Sequence, residues 1–154
     1  MSDSTKPTKT ILSNRAEWHL NGKPHREDGP AVEHSNGTKE WYKDGEPHRE
    51  DGPAIELSDG TKYWYKDGKL HREDGPAIEH SDGTKEWYKD GKLHREDGPA
   101  IESSDGTKEW HLDGKRHFIE ELVQWLCHPT SDPLSPPAPF NVNDVKDLLE
   151  YSIV

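Results

Sequence analysis

The sequence predicts a mainly β fold: an elongated, single-layer array of stacked antiparallel β-hairpins, with a small α-helical cap at its C-terminal end. Three observations carry that expectation. The tryptophans at 18, 41, 64, 87 and 110 recur every 23 residues, and WYKDGKLHREDGPAIEHSDGTKE from Trp64 returns almost letter for letter from Trp87. A fixed period in the twenties marks identical supersecondary units that stack on one another. All 13 glycines lie on the same lattice. They fall after Asn or Asp (as at Gly68 and Gly91), in EDGPA (Gly75, Gly98) and in S-[ND]-G-T (Gly83, Gly106). Asn-Gly and Asp-Gly between alternating apolar runs are the strongest short-range hairpin signal.

Composition sets the frame. Hydrophobic residues make up 28% of the 154 and charged residues 33%. Without the repeat, that balance would point to disorder. A thin array needs only one narrow apolar seam, which the recurring Trp and Ile can supply. The formal net charge of −11 argues against direct nucleic-acid binding, which needs clustered Lys and Arg. It argues equally against attraction to anionic lipid. Cys127 is the single cysteine, so no internal disulfide is expected. No apolar run approaches the ~20 residues of a membrane span, and the first residues lack an apolar signal core. The chain reads as soluble and cytoplasmic, with no membrane insertion.

Taken in order, residues 1–9 read as a disordered tail. Residues 10–117 read as the array: a half repeat at 10–17, full repeats at 18–40, 41–63, 64–86 and 87–109, and a partial repeat at 110–117. In the half repeat Ile11 and Trp18 are seven apart where Ile78 and Trp87 are nine apart. A two-residue deletion keeps the period-2 alternation, so a shorter hairpin is expected to start the stack. Within a full copy, parity decides the strand count. Three chain reversals would invert direction from copy to copy, whereas two strands restore it. One strand is therefore expected in PAIEHS-like segments and one in TKEWYK-like segments, with DGKLHREDG as a crossover loop.

A two-residue turn at Asp82-Gly83 then sets the register: Ile78 opposite Trp87, Ala77 opposite Tyr88 and Glu79 opposite Glu86. The other copies give Val32–Trp41, Ile55–Trp64 and Ile101–Trp110. Paired strands lie ~4.8 Å apart, so each copy advances the stack by ~10 Å.

Residues 118–154 read as the cap. Apolar Phe118, Ile119, Leu122, Val123, Trp125 and Leu126 follow helical spacing, and Cys127 is expected as a small core residue among them. A Pro-rich linker covers 129–140, and a second helix is expected near 144–152, capped by Asn141 or Asn143. The cap would cover the last sheet edge. A homodimer through these helices is the alternative.

The copy W-x-x-[ND]-G-x-x-H-R-E-D-G-P-A-[VI]-E-x-S-[ND]-G-T resembles the MORN repeat, which also runs at 23 residues with a W-x-x-G-x-x-H-G core. The match covers about Thr10 to His117, with H-R-E-D-G in place of H-G and D-G-P-A in place of G-x-G. This divergent, HREDGPA-type array is similar to proteins of bacteriophages and large DNA viruses. The resemblance implies stacked hairpins, and scaffolding or membrane binding as known roles of the family. A fold does not fix a function.

Residues kept in every copy are expected to serve the stack, and residues that vary to serve a partner. The structural ladder is then Trp18, Trp41, Trp64, Trp87 and Trp110 with His25, His48, His71 and His94. These histidines recur once per copy, ~10 Å apart, too far to share a metal with ligands at ~2 Å; each is expected to hydrogen-bond a loop of its own or the next copy. His34, His80, His19 and His111 vary and are expected to be exposed. Arg26, Arg49, Arg72 and Arg95 are expected to bridge the Glu pairs (Glu33–Glu40, Glu79–Glu86, Glu102–Glu109) bidentately. A cation site on that acidic ladder is the weaker reading. EDGP lacks the D-x-[DN]-x-[DN]-G calcium pattern. No G-x-S-x-G, P-loop or CxxC is present, so no catalytic residue, metal or cofactor is assigned and no enzyme is expected.

The partner-binding candidates are Tyr42, Tyr65 and Tyr88, replaced by His19 and His111 at the ends. On a face opposite the Trp seam, tyrosines bring large contact area at low entropy cost. The expected function is a non-enzymatic module that binds another protein, a host protein such as a defence enzyme if the chain is phage- or virus-encoded. An acidic nucleic-acid mimic filling a basic groove and a structural scaffold or virion component are the alternatives.

Overall fold

The computed structural model describes residues 6–117. The expected helical cap, its Pro-rich linker and most of the N-terminal tail lie outside the described residues. Those described are mainly β: a twelve-stranded sheet of stacked antiparallel hairpins, with further two-stranded hairpins beside it.

Each full copy contributes four short strands rather than two. Ile78–Glu79 pairs with Lys85–Glu86, and Tyr88–Lys89 pairs with Lys92–Leu93. The first pair joins the main sheet, and the second forms a small hairpin inside the stretch expected to be a crossover loop. Four reversals restore chain direction as well as two do, so parity alone could not separate them.

The two kinds of Asp-Gly make different turns. Asp90 (φ 52°) and Gly91 (φ 79°) are both left-handed, the requirement of a two-residue type I′ turn. At Ser81-Asp82-Gly83 only Gly83 is (φ 93°). There Gly83 N–H donates to His80 O (3.0 Å) and His80 N–H to Thr84 O (2.9 Å). That is a three-residue loop, a turn followed by a left-handed glycine.

The longer loop shifts the expected register by one. Ile78 lies opposite Glu86, not Trp87, and Glu79 lies opposite Lys85, not Glu86. The same correction applies to Val32, Ile55 and Ile101, which oppose Glu40, Tyr63 and Glu109. A one-residue slip moves a side chain to the other face. The Ile row therefore leaves the Trp face and joins the Tyr face. The tryptophans pair with alanines along the backbone instead: Trp87 N–H donates to Ala100 O (2.8 Å). Ala31, Ala54, Ala77 and Ala100 are wholly buried (0% exposed).

Copies are stitched by backbone and side chain. Gly91 N–H donates to Leu70 O and Gly114 N–H to Leu93 O, at 2.8 and 2.9 Å. Thr61 Oγ1 and Thr84 Oγ1 accept from Ser81 N–H and Ser104 N–H of the next copy, at 3.2 and 3.1 Å. The sheet starts with Thr8–Ile11 paired to Arg15–Leu20, so Thr8 and Lys9 belong to a strand rather than to the tail. Ile11 and Trp18 share a face, but Trp18 lies opposite Lys9 and Ile11 opposite Ala16.

Candidate protein-binding face

The two faces of the sheet differ in chemistry. On the first, each invariant Arg lies flat on the Trp of its own copy. The guanidinium carbons of Arg26, Arg49, Arg72 and Arg95 sit 4.0–4.2 Å from the ring centres of Trp18, Trp41, Trp64 and Trp87. The same Arg also donates through Nε and Nη1. Arg72 donates to Asp74 Oδ1 (2.9 Å), Pro76 O (3.2 Å) and Glu79 Oε1 (3.1 Å), and the other three repeat the pattern. Each Arg thus meets the Glu of its copy's first strand through Nη1 alone; the expected bidentate bridging of Glu pairs does not occur, because Glu33, Glu79 and Glu102 oppose lysines and Glu40, Glu86 and Glu109 stand on the other face. Hydrogen bonds from Arg hold the Asp28, Asp51 and Asp74 carboxyls below their ordinary pKa. Gly75 sits in EDGP for space: a Cβ there would lie 3.0 Å from Arg72 Cζ.

The His ladder ties each copy to the next. His71 Nδ1 accepts the Asp90 N–H (3.2 Å) and lies 3.0 Å from Asp90 Oδ1. His25, His48 and His94 meet Asp44, Asp67 and Asp113 alike. Nε2 of His48, His71 and His94 is buried without a hydrogen-bond partner among the described residues. Open grooves of about 850 and 660 Å³ run between successive HREDG loops, walled by residues such as Arg49, Asp51, His71 and Glu73. On this face the arginines tie each copy within itself and the histidines tie it to the next. The tryptophans are half-buried beneath their arginines rather than deep in a seam, and among the described residues only Trp110 is a buried Trp.

The opposite face carries two of the columns that vary between copies, 34/57/80/103 and 40/63/86/109. Cross-strand pairing lines up one row along the stack: Glu17, Val32, Glu40, Ile55, Tyr63, Ile78, Glu86, Ile101, Glu109. Carboxylates alternate with β-branched residues, except where Tyr63 replaces Glu. Tyr42 and Tyr88 stand on this face with hydroxyls that donate to Glu40 and Glu86 (2.8 and 3.0 Å). His34 and His80 hold the other oxygen of each carboxylate through Nε2 (2.8 and 2.7 Å); both are half-buried and engaged, where exposure was expected. Burial first, then the neighbouring carboxylate, pushes the Tyr42 and Tyr88 phenols up to about 12.

Tyr65 is raised by burial without a carboxylate beside it. Its copy has Tyr63 for Glu and Leu57 for His, and neither the Tyr63 nor the Tyr65 hydroxyl is hydrogen-bonded within the described residues. At the ends, His19 lies 3.6 Å from Glu17, and His111 binds Glu109 at 3.0 Å. His111 is buried, so the accessible stripe is Tyr42, Tyr65 and Tyr88 with His19. Sequence reasoning placed the tyrosines opposite the tryptophans correctly, because adjacent residues alternate, but missed Tyr63, Leu57 and the His–Glu–Tyr clusters. The signal was there: positions 57 and 63 break the internal repeat.

The sequence matches no protein-family model and no curated protein. Among the described residues no group of His, Cys, Asp and Glu is placed to hold a metal, and no helix is long and apolar enough to cross a membrane.

Proposed function

We propose that the chain is a non-enzymatic protein-binding repeat module whose Tyr face docks on another protein. One observation carries the reading: two of the columns that vary between copies, His34/Leu57/His80/Ser103 and Glu40/Tyr63/Glu86/Glu109, lie on the face that the Trp–Arg–His stitching leaves free, while others, such as Lys23/Glu46/Lys69 and Pro24/Pro47/Leu70, lie in the small hairpins. That stitching preorders the surface, and a preordered surface loses little entropy on binding. With the MORN-like, phage- and virus-associated character of the repeat, the partner is read as a host protein in the cytoplasm, bound or inhibited there.

Charge density ranks the acidic-mimic reading lower. The copy 64–86 has six acidic and four basic residues, a net −2 over a rise of ~9.6 Å. Duplex DNA carries one charge per ~1.7 Å, nearly three times as dense.

The test is capture of partners from host cells with the tagged chain and with a Tyr42→Ala/Tyr65→Ala/Tyr88→Ala variant. The reading expects a partner retained at about 0.5 M salt, where exposed charges are largely screened, by the wild type and lost by a folded variant. Retention by the variant would refute it.

A further inference from the structure

We infer that the docking face is centred on the copy 41–63, and that it takes an extended, polyproline-type segment with an apolar side chain in the middle and a Lys or Arg three residues to either side. This deepens the proposed protein-binding function and rests on it.

The row along the sheet carries the argument. Between Glu40 and Glu86 the pairs Glu40–Ile55, Ile55–Tyr63, Tyr63–Ile78 and Ile78–Glu86 run strand by strand. Tyr63 thereby turns Ile55–Tyr63–Ile78 into the one uninterrupted apolar run of the row; Ile78 is buried, and Ile55, Tyr63, Leu57 and Tyr65 on the same face are its half-buried, accessible part. Among the described residues, the Tyr63 and Tyr65 hydroxyls also hold no carboxylate, whereas Tyr42 and Tyr88 are pinned to theirs. A large aromatic with a free polar tip is the usual chemistry of an interface anchor. The clusters His34–Glu40–Tyr42 and His80–Glu86–Tyr88 flank it on both sides, and each carboxylate keeps lone pairs for a further donor.

Spacing and charge choose the occupant. Glu40 and Glu86 each lie two strand spacings from Tyr63, or ~9.6 Å. A polyproline segment repeats its side-chain direction every three residues, ~9.3 Å. A β-strand repeats it at ~6.8 or ~13.6 Å and fits poorly. Seven residues of helix span ~10.5 Å, an error that doubles over both sides. A net charge of −11 disfavours a second copy of this chain on the face and favours a basic ligand.

The test uses the full chain and fluorophore-labelled peptides, read by anisotropy. The probe is Arg-Pro-Pro-Leu-Pro-Pro-Arg. One control shortens the pitch (Arg-Pro-Leu-Pro-Arg), and the other replaces Leu by Gly. The key variant is Leu57→His/Tyr63→Glu, which gives the central copy the residues its neighbours already fold with. The inference expects the probe to bind at least ten-fold tighter than either control, and the variant to weaken it at least ten-fold. Glu40→Gln/Glu86→Gln should weaken it and flatten its salt dependence. A contact of charge alone would instead strengthen in the variant, since a carboxylate is added. That result, equal binding of the three peptides, or no binding at millimolar concentration would overturn the inference. A failed peptide accompanied by Tyr-dependent capture from host cells would sink the ligand assignment alone, leaving the protein-binding reading in place.

Discussion

Arg72→Ala removes more from this fold than a surface charge should. Arg72 is 22% exposed and touches four groups at once. Its stacking on Trp64 at 4.2 Å contributes about 0.5–1 kcal/mol at a partly exposed site. The ion pair to Glu79, which is 36% exposed, adds about 0.5–1 kcal/mol after solvent screening. The Pro76 carbonyl, part-buried, loses its side-chain donor at a cost of about 1 kcal/mol. Asp74 is fully exposed and is left out of the sum. The variant should therefore lose about 2–3 kcal/mol. For a domain of this size that is roughly 10–15 °C in melting temperature. Urea unfolding followed by Trp fluorescence is the assay, with a lower midpoint at unchanged slope as the expected result. Arg72→Lys should recover little, because an ammonium has neither the planar face nor the fork. A loss under ~0.5 kcal/mol, the scatter of ordinary surface substitutions, would refute the ladder as a stabilising element.

Gly75→Ala should destabilise the wild type through its clash with Arg72 but cost far less in Arg72→Ala, and the double-mutant cycle should show a coupling of about 1 kcal/mol or more. Gly83→Ala meets no atom within 4 Å, so its cost is the left-handed φ of 93° alone, about 1–2 kcal/mol by thermal melting. The Thr61, Thr84 and Thr107 N–H groups hold the Asp59, Asp82 and Asp105 carboxyls below the ordinary carboxylate range. Depressed carboxyls contribute stability above the unfolded value and lose it as pH falls through the folded one. Stability should thus drop below about pH 4, and less steeply in Asp82→Asn. Tyr42 and Tyr88, raised to about 12, contribute stability below pH ~10 that is lost as pH rises through about 12. A titration of tyrosinate absorbance should show two phenols ionising late, and Glu40→Gln should bring one of them earlier.

The period, the stacking of hairpins, an Arg–Glu contact in each copy and the inter-copy role of histidine were legible from internal comparison alone. Register was not. Asp-Gly marks a turn without giving its length, and one residue decides which face holds the isoleucines. The sequence did hold a distinguishing letter. In S-[ND]-G-T the Asp or Asn side chain accepts the Thr N–H two residues on, as at Asp82–Thr84 (2.8 Å). That contact accompanies the three-residue loop. In K-D-G-K the Asp turns instead to the His of the preceding copy. Burial of the tryptophans was overestimated for a related reason. The Arg that covers each ring is eight residues away in sequence and meets it only because the small hairpin folds back, a hairpin the two-strand count had hidden.

Photo-crosslinking in host cells decides whether partners meet the Tyr face, as proposed, or the Trp–Arg face that serves the stack. The reactive residue is placed at Tyr65 or, on the opposite face, at the exposed Lys85. Docking on the Tyr face predicts a crosslinked partner from position 65 and none from position 85. A crosslink from 85 with none from 65 would contradict it.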